Sequence, residues 1–241
     1  IWPDVSRDAM FGSSAGSMAQ SAKKYMPIAL GNQLNSALGI QSLGFHNFTG
    51  EYYYRKESLP NFGFECKFMN AGMPFTTSWP SSDFEMMEQS VDDYIEKDKF
   101  HAYYMTFSGH GPYTSSNGMY NRNIGDVRAN LGERQLDDNA KGYLAGNHEL
   151  DKAMDYLLTK LEEAGKLDNT VIVICGDHAP YYMSDAGLNS IAGHVVDKNF
   201  ELYQSTCIIY NAGMEEPIES DTYCCNVDIL PTILNLLGVD Y

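Results

Sequence analysis

The chain has 241 residues, 44% hydrophobic and 20% charged, which is enough apolar material for a sizeable core and too little charge density for a disordered chain. Acids outnumber bases 32 to 16 and the formal net charge is -16, which argues against binding nucleic acid through general electrostatics. No apolar run approaches the ~18 residues that a membrane span needs.

Residues 1–24 read as an irregular or flexible lead-in, with neither the basic start nor the apolar stretch of a signal peptide. A helix is expected around Tyr25–Leu38, then an apolar strand whose end carries His46. Ser81-Ser82-Asp83 can cap a helix that places Phe84, Met87, Val91 and Ile95 on one side. Ala102–Phe107 reads as a strand ending at Ser108-Gly109, and 111–141, rich in Asn, Gly, Asp and Tyr, as a long polar loop. Leu150, Met154, Leu157, Leu158 and Leu161 define one face of a helix that Gly165 stops. Thr170–Cys175 is a β-branched run suited to a fully buried strand. Gln204–Tyr210 reads as a further strand, and Val227–Leu237 as a final helix closed by Gly238. This alternation predicts an α/β fold with helices on the faces of a sheet, in a single domain spanning 1–241.

The five cysteines show no CxxC pair and no zinc-type spacing. Cys175 and Cys207 lie in apolar runs and read as buried thiols, whereas pairing of Cys66 with Cys224 or Cys225 stays open.

Polar residues capable of chemistry follow three strands directly. Gly176-Asp177-His178 follows one, Ser108-Gly109-His110-Gly111-Pro112-Tyr113 a second, and His46 a third, with Arg55 nine residues on. Ligands of open α/β sheets bind outside the carboxyl ends of the strands. An Asp-His pair offers one hard oxygen and one imidazole, a set suited to Zn²⁺ or Mn²⁺. His101 and His148 carry no assigned function, His194 in a Gly-containing loop reads as solvent-exposed rather than as part of the site, and Asp228 reads as a residue that braces the site or caps the last helix.

These blocks, together with Tyr53-Tyr54-Arg55, Glu162–Thr170 and Val227–Gly238, occur here in an order and spacing that resembles one family. It is the extracellular catalytic domain of lipoteichoic acid synthases and related phosphoglycerol transferases, in the alkaline phosphatase/sulfatase superfamily. The resemblance covers about residues 25 to 240. It implies a central, mostly parallel sheet flanked by helices and a divalent metal, Mn²⁺ before Zn²⁺ or Mg²⁺, held by Asp177 and His178. By the same resemblance His110 is the catalytic histidine beside the transferred phosphate, and His46, Tyr53 and Arg55 bind substrate. Tyr53 stands where the synthases often carry Trp.

The resemblance further implies an anionic phospholipid or glycolipid substrate. It places the parent protein at the extracellular face of a bacterial membrane, anchored there or secreted. A sulfatase or a phosphoethanolamine transferase shares the metal pair, and a non-catalytic glycolipid-binding module would share the fold. The family's reaction uses a nucleophilic Thr well before the His46 block. No such Thr is evident here, and Ser13, Ser14 and Ser17 are weak substitutes. The nucleophile and the first strands of the sheet are therefore expected upstream of Ile1, and the 241 residues alone are expected to turn over nothing measurable.

Overall fold

The computed structural model describes residues 19, 22–76 and 79–239. Ser13, Ser14 and Ser17, with most of the expected lead-in, lie outside the described residues. In chain order the elements are α1 (Leu30–Leu38), β1 (Ser42–His46), α2 (Arg55–Asn61), β2 (Phe64–Met69), β3 (Gly72–Met73), α3 (Asp83–Ser90), β4 (His101–Met105), α4 (Gly118–Asn130), α5 (Asp138–Glu163), β5 (Ile172–Cys175), α6 (Asp185–Ala192), β6 (Cys207–Tyr210) and α7 (Asn226–Leu236). The chain divides into two compact units: Ile1–Pro74 with Glu96–Met105 and Ile218–Tyr241, and Phe75–Ile95 with Thr106–Pro217.

The first unit is built on a four-stranded parallel sheet of order β3-β2-β1-β4. Strand β1 lies inside the sheet and all five of its residues are buried, as a parallel strand covered on both faces requires. Leu59, Phe64 and Phe68 pack together with Met105 on one cluster, and Leu34, Leu234 and Val239 form another that joins α1 to α7. Helix α1 ends at Gly39, whose φ of 66° supplies the left-handed turn. Helix α7 starts on a capping box in which the Asp228 carboxylate accepts from the Cys225 N–H at 2.7 Å, the capping alternative expected of Asp228.

In the second unit α5 is the spine. Its buried residues are Ala140, Gly142, Ala145, Gly146, Glu149, Ala153, Leu157 and Leu161, and from Gly146 onward they recur every three or four residues along one stripe. The small residues sit at the N-terminal end, where backbone presses on the helix. A Cβ at Gly142 would strike the Tyr113 carbonyl, and one at Gly146 would meet the Ser108 carbonyl at 2.8 Å. The expected helix after Ser82 is α3, capped by the Ser82 hydroxyl on the Glu85 N–H, and Met87, Val91 and Ile95 are buried.

Three expectations are corrected. The segment 111–141 is not a loop throughout, because Gly118–Asn130 is helix α4. Its buried contacts come from Met119 and Asn123 and polar bonds to α5, so it lacks the apolar period that would announce it. Strand β5 is half-buried rather than fully buried, and it pairs antiparallel with β6 in a separate two-stranded sheet. Cys175 and Cys207 face each other across that ribbon and are exposed, since two strands with open edges bury little. None of the five cysteines is in a disulfide, and burial followed by the charge of Glu65 raises the Cys66 thiol to about 12.

Candidate active site

In the first unit, His46 ends β1 and Arg55 begins α2. Two consecutive residues before that helix, Tyr53 and Tyr54, sit at φ 54°, a left-handed conformation that costs a non-glycine residue energy and clusters at functional sites. The turn swings Arg55 back onto His46, with 2.6 Å between Nη1 and Nε2. The other ring nitrogen, Nδ1, donates to the Met105 carbonyl at 2.8 Å, so Nε2 is the acceptor for the guanidinium. The Arg55 guanidinium also lies over the rings of Tyr52 and Tyr53, at 5.3 and 5.6 Å from their centroids. His46 is 1% exposed, whereas Tyr53 is 49% exposed. The imidazole thus acts on Arg55, and the half-buried guanidinium with its tyrosines carries the surface.

Burial, then the Arg55 charge, lowers the His46 pKa from 6.5 to about 4. Burial alone lowers His101, bonded to the Ser42 hydroxyl at 2.7 Å, to about 4 as well. The unfolded chain takes up these protons near pH 6.5 and the folded chain only near pH 4, so stability rises with pH across that window. Each imidazole accounts for roughly 3 kcal/mol, fully present above pH 6.5 and lost by pH 4. Urea midpoints are expected to fall between pH 6.5 and 5, above the range where carboxylates titrate. A flat profile there in the wild-type protein would contradict the two assignments.

In the second unit, the Ser108–Tyr113 segment runs back over α5 and carries His110. His110 Nδ1 donates to the Gly111 carbonyl at 2.8 Å, which places the proton on Nδ1 and leaves Nε2 as the lone-pair nitrogen. The ring is packed against Trp79 at 5.1 Å, Phe107 at 5.0 Å and Tyr182 at 5.8 Å. The Asn117 side chain donates to the carbonyls of His110 and Pro112 at 2.9 and 3.0 Å and caps α4 with its own oxygen. Gly111 lies so close to Tyr182 that a Cβ would come within 2.6 Å of the tyrosine side chain. The His110 turn therefore abuts the loop that follows β5.

That second loop carries Asp177 and His178. Asp177 Oδ2 and His178 Nε2 are 3.5 Å apart, and His178 Nδ1 donates to the Ala179 carbonyl at 2.7 Å. The His178 ring is stacked on Tyr181 with 4.4 Å between centroids. Two donors bound to one ion at 2.0–2.2 Å stand roughly 3–3.5 Å apart, and a ligating imidazole usually gives its other N–H to a carbonyl. The pair fits two ligands of one divalent ion in spacing, tautomer and exposure. Among the described residues no group of three or more His, Cys, Asp or Glu could hold an ion.

The sequence reading thus meets its residues in two sets, His46 with Tyr53 and Arg55, and His110 with the Asp177–His178 loop. It missed Trp79, Asp83, Asn117 and Tyr182, which shape the second set. Asp83 announced itself only as part of a helix cap, and nothing local signals its tertiary partners. His194, expected to be exposed, is exposed and bonds Glu201 at 2.5 Å.

A parallel four-stranded sheet flanked by helices defines an alkaline phosphatase-like α/β fold. The chain belongs to the sulfatase family, whose model matches residues 6–239. It is 27% identical over 219 residues to lipoteichoic acid synthase 2 of Bacillus subtilis, covering 87% of this chain and 28% of that protein. It is 26% identical over 223 residues to the lipoteichoic acid synthase of Staphylococcus aureus, covering 86% of this chain and 32% of that protein. The chain therefore spans about a third of the length of these relatives. Among solved structures, the lipoteichoic acid synthase LtaP from Listeria monocytogenes matches with a TM-score of 0.72 and 21% identity, over 92% of this chain and 55% of that one. A Vibrio parahaemolyticus protein of the alkaline phosphatase superfamily matches with a TM-score of 0.63 and 17% identity, over 99% of this chain and 52% of that one. These likenesses establish the fold. No helix among the described residues is long and apolar enough to cross a membrane.

Proposed function

We propose that this chain carries the metal- and phosphate-binding part of a phosphoglycerol transferase that acts on an anionic membrane lipid or cell-wall polymer outside the bacterial cell. The observation that carries the reading is the Asp177–His178 pair, spaced and tautomerically set for one divalent ion. The names of the related lipoteichoic acid synthases support the substrate class. Mn²⁺, bound by Asp177 and His178, would neutralise charge that builds on the phosphoryl oxygens. His110 presents Nε2 to the phosphate, where it exchanges a proton with the leaving or attacking oxygen. Arg55 offers its planar fork to the phosphoglycerol group, preset by His46, while Tyr53 covers the glycerol. The parent protein is placed at the outer face of the membrane, where such a lipid is met.

The test is release of glycerol phosphate from phosphatidylglycerol vesicles by the protein expressed from its complete natural reading frame, with Mn²⁺ and with excess chelator. Turnover that needs Mn²⁺ supports the reading, and sulfate ester hydrolysis without phosphoglycerol release overturns it. Within that assay Arg55→Lys is expected to lower kcat/KM by about 100-fold. It keeps the charge but gives up the bidentate fork, the bond to His46 Nε2 and the stacking on Tyr52 and Tyr53. A change of less than threefold would remove Arg55 from the phosphate site.

A further inference from the structure

Asp83 stands at the first position of α3 and is 1% exposed. A buried carboxylate is costly unless donors surround it. Here one oxygen accepts from the Phe107 N–H at 2.7 Å and the Ser108 N–H at 3.2 Å, and the other accepts from the Ser108 hydroxyl. All three donors lie within three residues of His110. The same backbone is pressed from the far side onto Gly146, where no Cβ would fit. The residue before Asp83 is tied down too, because the Ser82 hydroxyl donates to Glu149 Oε1, which Arg122 also holds at 2.7 Å. Asn123 supplies the other Glu149 oxygen at 2.9 Å. The carboxylate is thus gripped on one side by a buried polar network and grips the root of the His110 turn on the other. Its reach to the phosphate runs only through that turn.

We propose that Asp83 is a positioning residue for His110: its buried carboxylate clamps the Phe107–Ser108 backbone from which the His110 turn rises and so sets where Nε2 points. This rests on the reading of His110 as the histidine beside the transferred phosphate. Asp83→Asn can keep an oxygen for the Phe107 and Ser108 N–H groups, but it loses the charge that strengthens all three bonds and must donate to the Ser108 hydroxyl instead of accepting from it, which loosens the clamp and displaces the ring. A displacement near 1 Å at a catalytic group costs about 100-fold in rate.

The experiment is a double-mutant cycle with the protein from its complete natural reading frame, Mn²⁺ and phosphatidylglycerol vesicles. Asp83→Asn is expected to lower kcat by ~30- to 100-fold with KM within about twofold. In a His110→Ala background the same change is expected to alter kcat less than about twofold, since the group it positions is gone. Ser108→Ala, which removes only the hydroxyl arm, is expected to give a loss of about fivefold that also vanishes without His110, and it serves where Asp83→Asn fails to fold. Equal losses in both backgrounds overturn the positioning role and leave the His110 reading intact. Full turnover by His110→Ala alone overturns that reading, and the positioning role with it.

Discussion

Asp177→Ala is expected to lower turnover by at least ~1,000-fold and to weaken Mn²⁺ binding in the same variant, because it removes the negative donor from a two-residue pair. His178→Ala should do the same, while Asp177→Asn, which keeps an oxygen and loses the charge, should fall between. The loss would come from the proposed metal site, not from an ion pair between the two side chains. Asp177 is 88% exposed and His178 46% exposed by side chain, so water would screen a pair of that kind to near nothing. The ring has Nδ1 bound to the Ala179 carbonyl and Nε2 turned to the carboxylate, an orientation compatible with ligation through Nε2. Calorimetric titration with Mn²⁺ alongside kcat checks the claim. Wild-type affinity in both alanine variants would end it.

The second large effect falls on stability. Glu149 is 1% exposed on α5 and accepts from Ser82, from Arg122 at 2.7 Å and from Asn123 at 2.9 Å. Burial pushes its carboxyl up, yet the bonds from Ser82, Asn123 and Arg122 outweigh this and hold it below the ordinary carboxylate range. Its removal would leave the Ser82 hydroxyl and one of the two Asn123 amide hydrogens without their acceptor in the interior, the other staying on the Ala145 carbonyl, and would release Arg122 from Glu149 while Glu85 still holds it at 2.7 Å. Glu149→Ala is expected to cost about 3–4 kcal/mol and Glu149→Gln about 2 kcal/mol. The difference arises because Gln retains one acceptor. Urea unfolding followed by circular dichroism reads both. A loss below 1 kcal/mol in the alanine variant would show that water replaces the carboxylate at this position.

Several elements were legible without a structure. The Ser82 cap, the apolar side formed by Met87, Val91 and Ile95 and the cap at Asp228 all show in residues within four positions of one another. Helix α4 was not legible, because Asn123 and Arg122 join it to α5 through side-chain polar bonds that leave no apolar period. The burial of β5 was overestimated for a related reason. An apolar run shows that a segment prefers β structure, but its burial depends on the strands and helices beside it. The Asp177–His178 and His110 blocks were legible as motifs at strand ends. The state of His46 was not: a histidine at a strand end looks the same whether it faces a ligand or is sealed behind an arginine.

The sequence by itself determined the α/β alternation, the order of the polar blocks and the acidity of a chain with net charge -16. Each of these is a property of composition or short-range spacing. Only the tertiary structure decided that His46 is neutral and serves Arg55, that Asp83 reaches 24 residues to the Phe107 N–H, and that Glu149 closes a network 67 residues from Ser82. The reason is physical. A buried charge is stabilised by donors that the chain brings from far away, and no local pattern records which donors those are.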